Sequence, residues 1–470
     1  MNTRGEMIRT LMVSLAILVV VPAIAWVALS FGQLAMLGVV GLIGVAVAVY
    51  IGLRHPLWLF WFLAFVVGAL PFGQFPGVNL PLYLPLAFGA LVAIYVHPRL
   101  ARPTHPIEMA VWALLLTSVA SVLVTSHTLI SAIMIVRWGI VTLVAVALIQ
   151  LSNEHLAKFG RIFVYGSVLN ALFGLYMVAF DPAQTAFRYL RIFGYAAELT
   201  SPRFAYSQGG ATQLIRLGGT SVDPNGEGIA LVVALAVALI LFAGWRRVCI
   251  TAIIGVALLL TLSRASIFSA VVGVILVLIF HRMRTRDRML GLGGLAALVV
   301  VGFLTPSIRT RFLSAFASDD RGANDRVASL RDFPHQMSGH WLFGLGWDRP
   351  EFTDGNYAFL LNHVSNAPLL TVYRGGIFAG LAFLAVMIVG CVYAYRAIRS
   401  DSFPFALYGG IFIGFCLVAL QLDHPVGGSP PSVLKFAIFL AFLVYMDRAK
   451  NDGMRHVTSD AREKAVAAAN

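Results

Sequence analysis

Long apolar runs are the feature of this sequence that most restricts its fold. Many of these runs reach the roughly 17–25 residues that an α-helix needs to cross a bilayer. Hydrophobic residues make up 59% of the 470 residues and charged residues only 12%, too few to cover the surface of a soluble protein of this length. The sequence therefore predicts an all-α, polytopic transmembrane helical bundle of about 14 spans (roughly 12–14).

The predicted spans are separated by short loops and by two long segments. The spans lie near residues 8–29, 34–53, 56–70, 81–97, 107–125, 128–150, 157–180, 226–243, 247–262, 265–281, 289–305, 366–393, 404–420 and 431–447. This pattern divides the chain into N-terminal helices 1–180, a first external loop 181–225, central helices 226–305, a second external loop 306–358, C-terminal helices 359–448 and a cytoplasmic tail 449–470.

The positions of Lys and Arg in the short loops predict the orientation. Alternate loops contain basic residues, whereas the loops near 30–33, 71–80, 126–127 and 421–430 contain no Lys or Arg. Because short cytoplasmic loops are enriched in Lys and Arg, both termini are predicted to be cytoplasmic and the two long loops external. We expect those long loops to carry short amphipathic helices, one of them around Arg326 to Phe333.

The end of the first external loop is a candidate anion site. It reads Arg216-Leu-Gly-Gly-Thr-Ser-Val-Asp223-Pro-Asn225 and leads directly into a span. Asp223-Pro-Asn225 is typical of a turn that caps a helix, which is one interpretation of the segment. The other places Arg216 beside the helix N-terminus, where a helix favours anions.

Two further arginines lie at energetically costly positions. Arg264 separates two apolar stretches and is predicted to be external, where it either faces substrate or extends to the membrane interface. Arg137 falls in the middle of the sixth predicted span. We expect it to have a structural partner, a carboxylate or a carbonyl, in preference to a substrate.

His363 is the candidate acid–base residue. It lies at the predicted external mouth of a span, with several arginines, including Arg326, able to converge on it. That combination suits proton transfer beside a phosphate leaving group, although a lone histidine is often only a hydrogen-bonded core residue. The three cysteines lie in apolar runs, and neither metal-ligand spacing nor a phosphate-binding glycine loop occurs. We therefore expect no metal, no cofactor and no nucleic-acid partner.

These pieces, in this order, resemble the O-antigen ligase and O-antigen polymerase superfamily of bacterial membrane glycosyltransferases. The matching stretches are Gly219–Asn225, Leu260-Thr-Leu-Ser-Arg264-Ala, Arg326 with Gly344-Leu-Gly346-Trp347, and His363 through Asn366-Ala-Pro-Leu369 to Gly376. The resemblance covers roughly residues 215–395. It departs from the family pattern where Ser365 precedes Asn366 and where Arg374 occupies the place of a usual Glu.

The resemblance implies a metal-independent glycosyltransferase in the bacterial cytoplasmic membrane. Its donor would be an undecaprenyl-pyrophosphate-linked oligosaccharide on the external or periplasmic side, and its acceptor a glycan or glycolipid. Arg264 and Arg326, together with Arg216, would bind the pyrophosphate, and His363 would activate the acceptor hydroxyl. Weaker substrate-binding candidates are Asp223, Asn225, Asn366 and Arg311. A chain-length regulator or a flippase would be a further partner.

Several functions remain open from the sequence. The two long arginine-bearing loops favour a polymerase, and Arg311 with Gly322 matches a spacing described for such polymerases. A ligase that transfers to a lipid or another acceptor is the alternative. A transporter of lipid-linked sugar or a small solute would place polar sites near the bilayer midplane. A peptidoglycan polymerase would use an external aspartate, for which Asp354 and Asp423 are candidates.

Overall fold

A computed structural model gives the fold for most of the chain. The described residues are 44, 50–52, 54–76, 80–96, 104–125, 128–195, 205–208, 212–304, 309, 321–347, 364, 366–421 and 430–469. The first predicted span, 8–29, lies outside them, as does most of the second, 34–53.

The described chain is built from helices and one small β-hairpin. The helices are α1 (Pro56–Ala69), α2 (Tyr83–Val96), α3 (Pro106–Thr125), α4 (Leu129–Gln150), α5 (Asn153–Phe180), α6 (Pro224–Leu241), α7 (Gly244–Leu260), α8 (Arg264–Phe280), α9 (Thr285–Leu304), α10 (Arg321–Gln336), α11 (Ala367–Ile398), α12 (Phe403–Ala419) and α13 (Pro430–Ala469). A 3₁₀ segment, Thr185–Phe193, follows α5, and a 3₁₀ turn, Gly219–Ser221, precedes α6.

The helical architecture confirms the predicted fold class. Each span predicted from residue 56 onward coincides with one of these helices, and the predicted amphipathic segment is α10. Within the described residues, five helices are long and apolar enough to cross a membrane: α3, α4, α5, α6 and α11. Four shorter apolar helices accompany them, so the chain is an integral membrane protein, and the span number of about 14 stays a prediction.

The hairpin is an element that the sequence interpretation lacked. Strand β1 (Ala205–Gln208) pairs antiparallel with β2 (Thr212–Ile215), with Ala205 opposite Ile215 and Gln208 opposite Thr212. The β-branched Thr212 and Ile215 favour an extended strand, and two antiparallel strands can be joined by a short loop. The predicted first external loop, 181–225, therefore carries a hairpin and a 3₁₀ segment.

Small residues allow the helices to pack closely, as is usual between membrane helices. A Cβ at Gly273 of α8 would clash with the backbone of Ile411 in α12, and a Cβ at Gly414 would clash with Ser269. Large apolar side chains such as Leu123, Leu129 and Phe180 remain on the outside of the bundle. An apolar outer face is what a lipid environment requires.

Arginines form hydrogen bonds at one end of the bundle. We call it the opposite end, because the candidate functional site lies at the other end. Arg448 of α13 donates hydrogen bonds to the carbonyls of Ile149 and Leu151, where α4 ends. Arg399 donates to the carbonyl of Phe280, where α8 ends. Because helix C-termini leave carbonyls unpaired and carry partial negative charge, these cations stabilise that end.

At the other end, Asp181 holds the 3₁₀ segment that follows α5. One carboxylate oxygen accepts a hydrogen bond from the Ala186 N–H (2.6 Å), and the other accepts one from the Thr185 hydroxyl (3.0 Å). Burial raises the pKa of this carboxyl, but the bonds from Ala186 and Thr185 outweigh burial, so its pKa lies below the ordinary value.

We expect Asp181 to contribute acid-sensitive stability. Because its folded-state pKa is depressed, the contribution is present above the unfolded pKa of about 3.9 and is lost as pH falls through the folded value. Asp181→Asn should lower stability at neutral pH and flatten its decline in acid, measured by thermal unfolding of detergent-solubilised protein from pH 7 to pH 3. The same acid slope in both proteins would contradict this expectation.

Candidate functional site

A buried arginine joins the end of the predicted first external loop, 181–225, to the helix bundle. Only 2% of the surface of Arg216 is exposed. Its Nε donates a hydrogen bond to the carbonyl of Thr261 (2.9 Å), and its Nη2 donates to the Oδ1 of Asn225 (3.0 Å). The next residue, Leu217, donates its N–H to the carbonyl of Leu260 at the end of α7 (2.9 Å). Arg216 thus joins strand β2, α6 and the turn after α7.

The predicted cap at the start of α6 is present in the structure. Asp223 is the N-cap, and its Oδ2 accepts a hydrogen bond from the Gly226 N–H (2.8 Å). Pro224 occupies the first turn, where its fixed φ suits a helix and its missing N–H costs nothing. The two interpretations of this segment are compatible, because Asn225 in the same turn accepts the bond from Arg216.

Arg264 begins α8 beside the same turn. The turn Thr261–Ser263 has Leu262 in the left-handed region (φ +49°), and Arg264 follows it, half-buried. A Cβ at Gly228 of α6 would clash with Ser263 and Ser266 of α8, so the first turns of the two helices are in contact.

Arg216 and Arg264 therefore flank one turn, and two helix N-termini lie beside it. Each helix N-terminus carries partial positive charge and unpaired N–H groups, which together favour anions. We call this region, Arg216 with Thr261–Arg264 and the first turns of α6 and α8, the arginine turn.

Asn366 is the N-cap of α11. Its Oδ1 accepts a hydrogen bond from the Leu369 N–H (2.9 Å), and its Nδ2 donates to the carbonyl of Leu420 at the end of α12 (2.7 Å). These bonds place the start of α11 and the end of α12 together.

Helix α10 packs its C-terminal end against the start of α11. Phe333 and Met337 are buried in one cluster with Val364, Leu370 and Tyr373. Val364 directly follows His363, so the residue next to the candidate base lies beside the start of α11.

The remaining predicted site residues are less fully described. His363 and Arg311 lie outside the described residues, and of Arg326 only the helical backbone is described. The candidate aspartates Asp354 and Asp423 also lie outside them.

The residues Gly344-Leu-Gly346-Trp347, which we call the glycine motif, follow α10 and pack into a break in α11. The N–H groups of Leu345 and Gly346 donate to the carbonyls of Tyr373 and Arg374 (2.7 and 3.2 Å), and Ile377 donates its N–H to the carbonyl of Trp341 (2.8 Å). The break lies at Gly376, about 13 Å along α11 from its start at 1.5 Å per residue. Irregular backbone inside a membrane helix is tolerated where protein buries it and supplies its hydrogen bonds, as it does for the buried Gly376.

Residues 249–384 match the O-antigen ligase family. This match confirms the resemblance predicted from the sequence, and no curated protein matches the chain. The matched segment runs from α7 through the break in α11. It contains Arg264, Arg326, the glycine motif and His363, whereas Arg216, Asp223 and Asn225 precede it.

Arg374, which departs from the family pattern, lies against the glycine motif. Its guanidinium carbon is 4.8 Å from the centre of the Trp347 ring, and that ring is 4.7 Å from the ring of Trp138 in α4. The neighbouring Arg137 donates from Nη2 to the hydroxyl of Tyr83 (3.5 Å). Arg137 therefore has a structural contact, to a phenol in place of the expected carboxylate or carbonyl.

Two buried charges near the arginine turn escaped the sequence interpretation. Glu227 lies in the first turn of α6 and Lys435 near the start of α13, and both are fully buried or nearly so. The sequence contained a signal, since each falls inside a predicted span, where ionisable residues are costly. The same signal singles out Arg137.

Proposed function

We propose that the protein is a membrane glycosyltransferase that acts on the external face of the bacterial cytoplasmic membrane. It polymerises or transfers a glycan carried on polyprenyl pyrophosphate. An acceptor hydroxyl attacks the first sugar with inversion, and polyprenyl pyrophosphate leaves. The observation that carries this proposal is the arginine turn, in which the buried Arg216, the first residue of α8, Arg264, and the first turns of α6 and α8 adjoin one loop at the edge of the segment that matches O-antigen ligase.

The arginine turn suits the charge that develops in this reaction. As the glycosidic bond breaks, negative charge grows on the departing pyrophosphate. Arg264 is half-buried and Arg216 is buried, so both have surroundings of lower polarity than water, where charges interact more strongly. Donors that are already in place stabilise that charge without reorganising, and this stabilisation often lowers the reaction barrier more than any other effect in an active site.

In this proposal His363 is the general base and Arg326 a second pyrophosphate ligand. His363 precedes the buried Val364 at the start of α11, and Arg326 belongs to α10, which packs on the same place. A histidine near neutral pKa can accept the proton of a sugar hydroxyl as the new bond forms. No metal is needed in this scheme, because the arginines supply the positive charge.

Polymerase and ligase differ only in the acceptor. We favour the polymerase, because two external loops offer separate places for a growing chain and an incoming unit. The matched family is described as O-antigen ligase, which favours transfer to a lipid or other acceptor as the second candidate. A transporter is less favoured, because the arginine turn lies at one end of the bundle.

We expect Arg264→Ala to reduce transfer by about 10²–10³-fold, the usual effect of removing one such donor. The assay incubates purified protein in lipid with a polyprenyl-pyrophosphate oligosaccharide and measures elongated or transferred product. Arg284→Ala is the matched control, since Arg284 is an exposed arginine within the same matched segment but lies between α8 and α9 at the opposite end. His363→Ala in the same assay tests the general base.

The outcomes separate the parts of the proposal. Wild-type turnover in Arg264→Ala would remove the arginine turn from catalysis, and wild-type turnover in His363→Ala would remove only the base. A wild-type protein that moves the donor across vesicles and forms no product would make it a transporter.

A further inference from the structure

The carboxylate of Glu227 is fully buried in the first turn of α6, with 0% of the residue exposed. Taking a carboxylate out of water is costly unless it is hydrogen-bonded and its charge is compensated. Glu227 has both kinds of partner, and they come from parts of the chain distant in sequence.

Hydrogen bonds connect Glu227 to the turn that follows Arg216. Its Oε2 accepts a bond from Nδ2 of Asn170 in α5 (2.8 Å), and Oδ1 of Asn170 accepts one from the N–H of Thr220 (2.7 Å). The Thr220 hydroxyl donates to the carbonyl of Ala69 at the end of α1 (2.7 Å). Glu227 therefore holds the turn Gly219–Ser221 through the side-chain amide of Asn170.

The turn Gly219–Ser221 has no room to move towards Asn170 and Glu227. Gly219 has a φ of +51°, and a Cβ there would clash with Oδ1 of Asn170 and approach the carboxyl carbon of Glu227. Arg216 lies three residues before this glycine, and Asn225, its hydrogen-bond acceptor, lies six residues after it. The position of the turn therefore sets the position of both.

Lys435 compensates the charge. It is 1% exposed, and its ammonium donates to the carbonyl of Gly226 in the first turn of α6 (3.5 Å). Its charge acts on both Glu227 and Asp223. Without this lysine, two carboxylates would oppose anion binding at the start of α6. With it, the formal charge of the surrounding residues, including Arg216 and Arg264, is positive.

We propose that Glu227 and Lys435 are positioning residues that act as one coupled pair. They hold the turn Gly219–Ser221, which follows Arg216, and keep the start of α6 electropositive. The proposal rests on the proposed function, because it assigns the pair to the pyrophosphate site. Neither residue touches the reacting atoms. Each acts through Arg216 and the first turn of α6.

A double-mutant cycle tests the coupling. Glu227→Gln leaves a buried ammonium uncompensated, Lys435→Met leaves a buried carboxylate uncompensated, and the double variant contains neither charge. We expect each single variant to lower kcat by about 10-fold or more with a smaller change in KM for the donor, and the double variant to recover most of that loss. A merely structural pair would change the unfolding temperature and leave kcat alone.

Glu108→Gln is the matched control. Glu108 in α3 is also buried and also accepts a hydrogen bond from an amide, Nε2 of Gln150 (3.1 Å), but it lies at the opposite end. We expect its loss to lower the unfolding temperature and leave kcat within about 2-fold, since surface and core changes far from a site seldom couple to it.

Binding of inorganic pyrophosphate to the same variants, followed by calorimetry, keeps the inference testable apart from transfer. Pyrophosphate affinity that falls in each single variant and recovers in the double variant would support the pair. A wild type that binds pyrophosphate but forms no product would count against the proposed function alone. Additive effects on both kcat and pyrophosphate affinity would overturn the inference. So would a wild type that neither transfers glycan nor binds pyrophosphate.

Discussion

Arg216→Ala is expected to remove transfer activity and to destabilise the protein together. The substitution breaks two hydrogen bonds from a buried cation and leaves the Thr261 carbonyl and the Asn225 side chain without them. Hydrogen bonds to charged groups are worth about 1.5–3 kcal/mol each, so we expect a loss of about 3 kcal/mol or more. If Arg216 also binds pyrophosphate, turnover should fall by at least about 10²–10³-fold.

Two further variants separate these contributions. Arg216→Lys retains the charge but not the planar fork that reaches both acceptors, so it should keep part of the pyrophosphate affinity and little of the stability. Arg191→Ala removes an exposed arginine of the same predicted external loop and should change neither property. Unfolding temperature and product formation are measured on each. A stable Arg216→Ala protein with normal turnover would contradict both roles.

Gly376→Ala is expected to have the largest effect on folding of any alanine substitution proposed for this chain. Gly376 breaks α11 with φ +77° and ψ −178°, a conformation found essentially only in glycine. A Cβ there would clash with the carbonyl of Leu342 and with the N–H of Phe343. Backbone strain and overpacking each cost about 1–3 kcal/mol, so we expect about 3–5 kcal/mol in total.

Gly255→Ala provides the comparison. Gly255 lies inside α7 with a helical backbone and nothing within 4 Å of an added Cβ, so alanine should be neutral or stabilising there. The yield of monodisperse protein and its unfolding temperature report the difference. If Gly376→Ala behaved like Gly255→Ala, the insertion of the glycine motif into α11 would be wrong.

The sequence predicted the helices well because their signal is local. Twenty apolar residues in a row identify a membrane helix without knowledge of its neighbours, as α4 and α11 show. Caps are equally local, and Asp223 was predicted from the residues that follow it. The hairpin Ala205–Ile215 was missed because a four-residue strand among loop residues has no comparable signal.

The candidate site was also predictable only in part: its residues could be selected from the sequence, but their contacts could not. Arg216, Arg264 and the glycine motif were selected from the sequence because charge and glycine are conspicuous between apolar runs. Their contacts could not be predicted, since Arg216 donates to the carbonyl of Thr261, 45 residues later, and Leu345 donates to the carbonyl of Tyr373, just before the break in α11. The roles of His363, Arg326 and Arg311 stay predictions.

The sequence by itself determined that this chain is a membrane-embedded helical protein with most of its arginines between spans. Hydrophobic length and charge placement are enough for that, because the bilayer acts on each segment separately. Only the tertiary structure decided which charges share a site. Glu227 and Lys435 are 208 positions apart, and only the packing of α6 against α13 brings their charges together at the start of α6. Such a pairing depends on the three-dimensional arrangement of helices, which no single segment specifies.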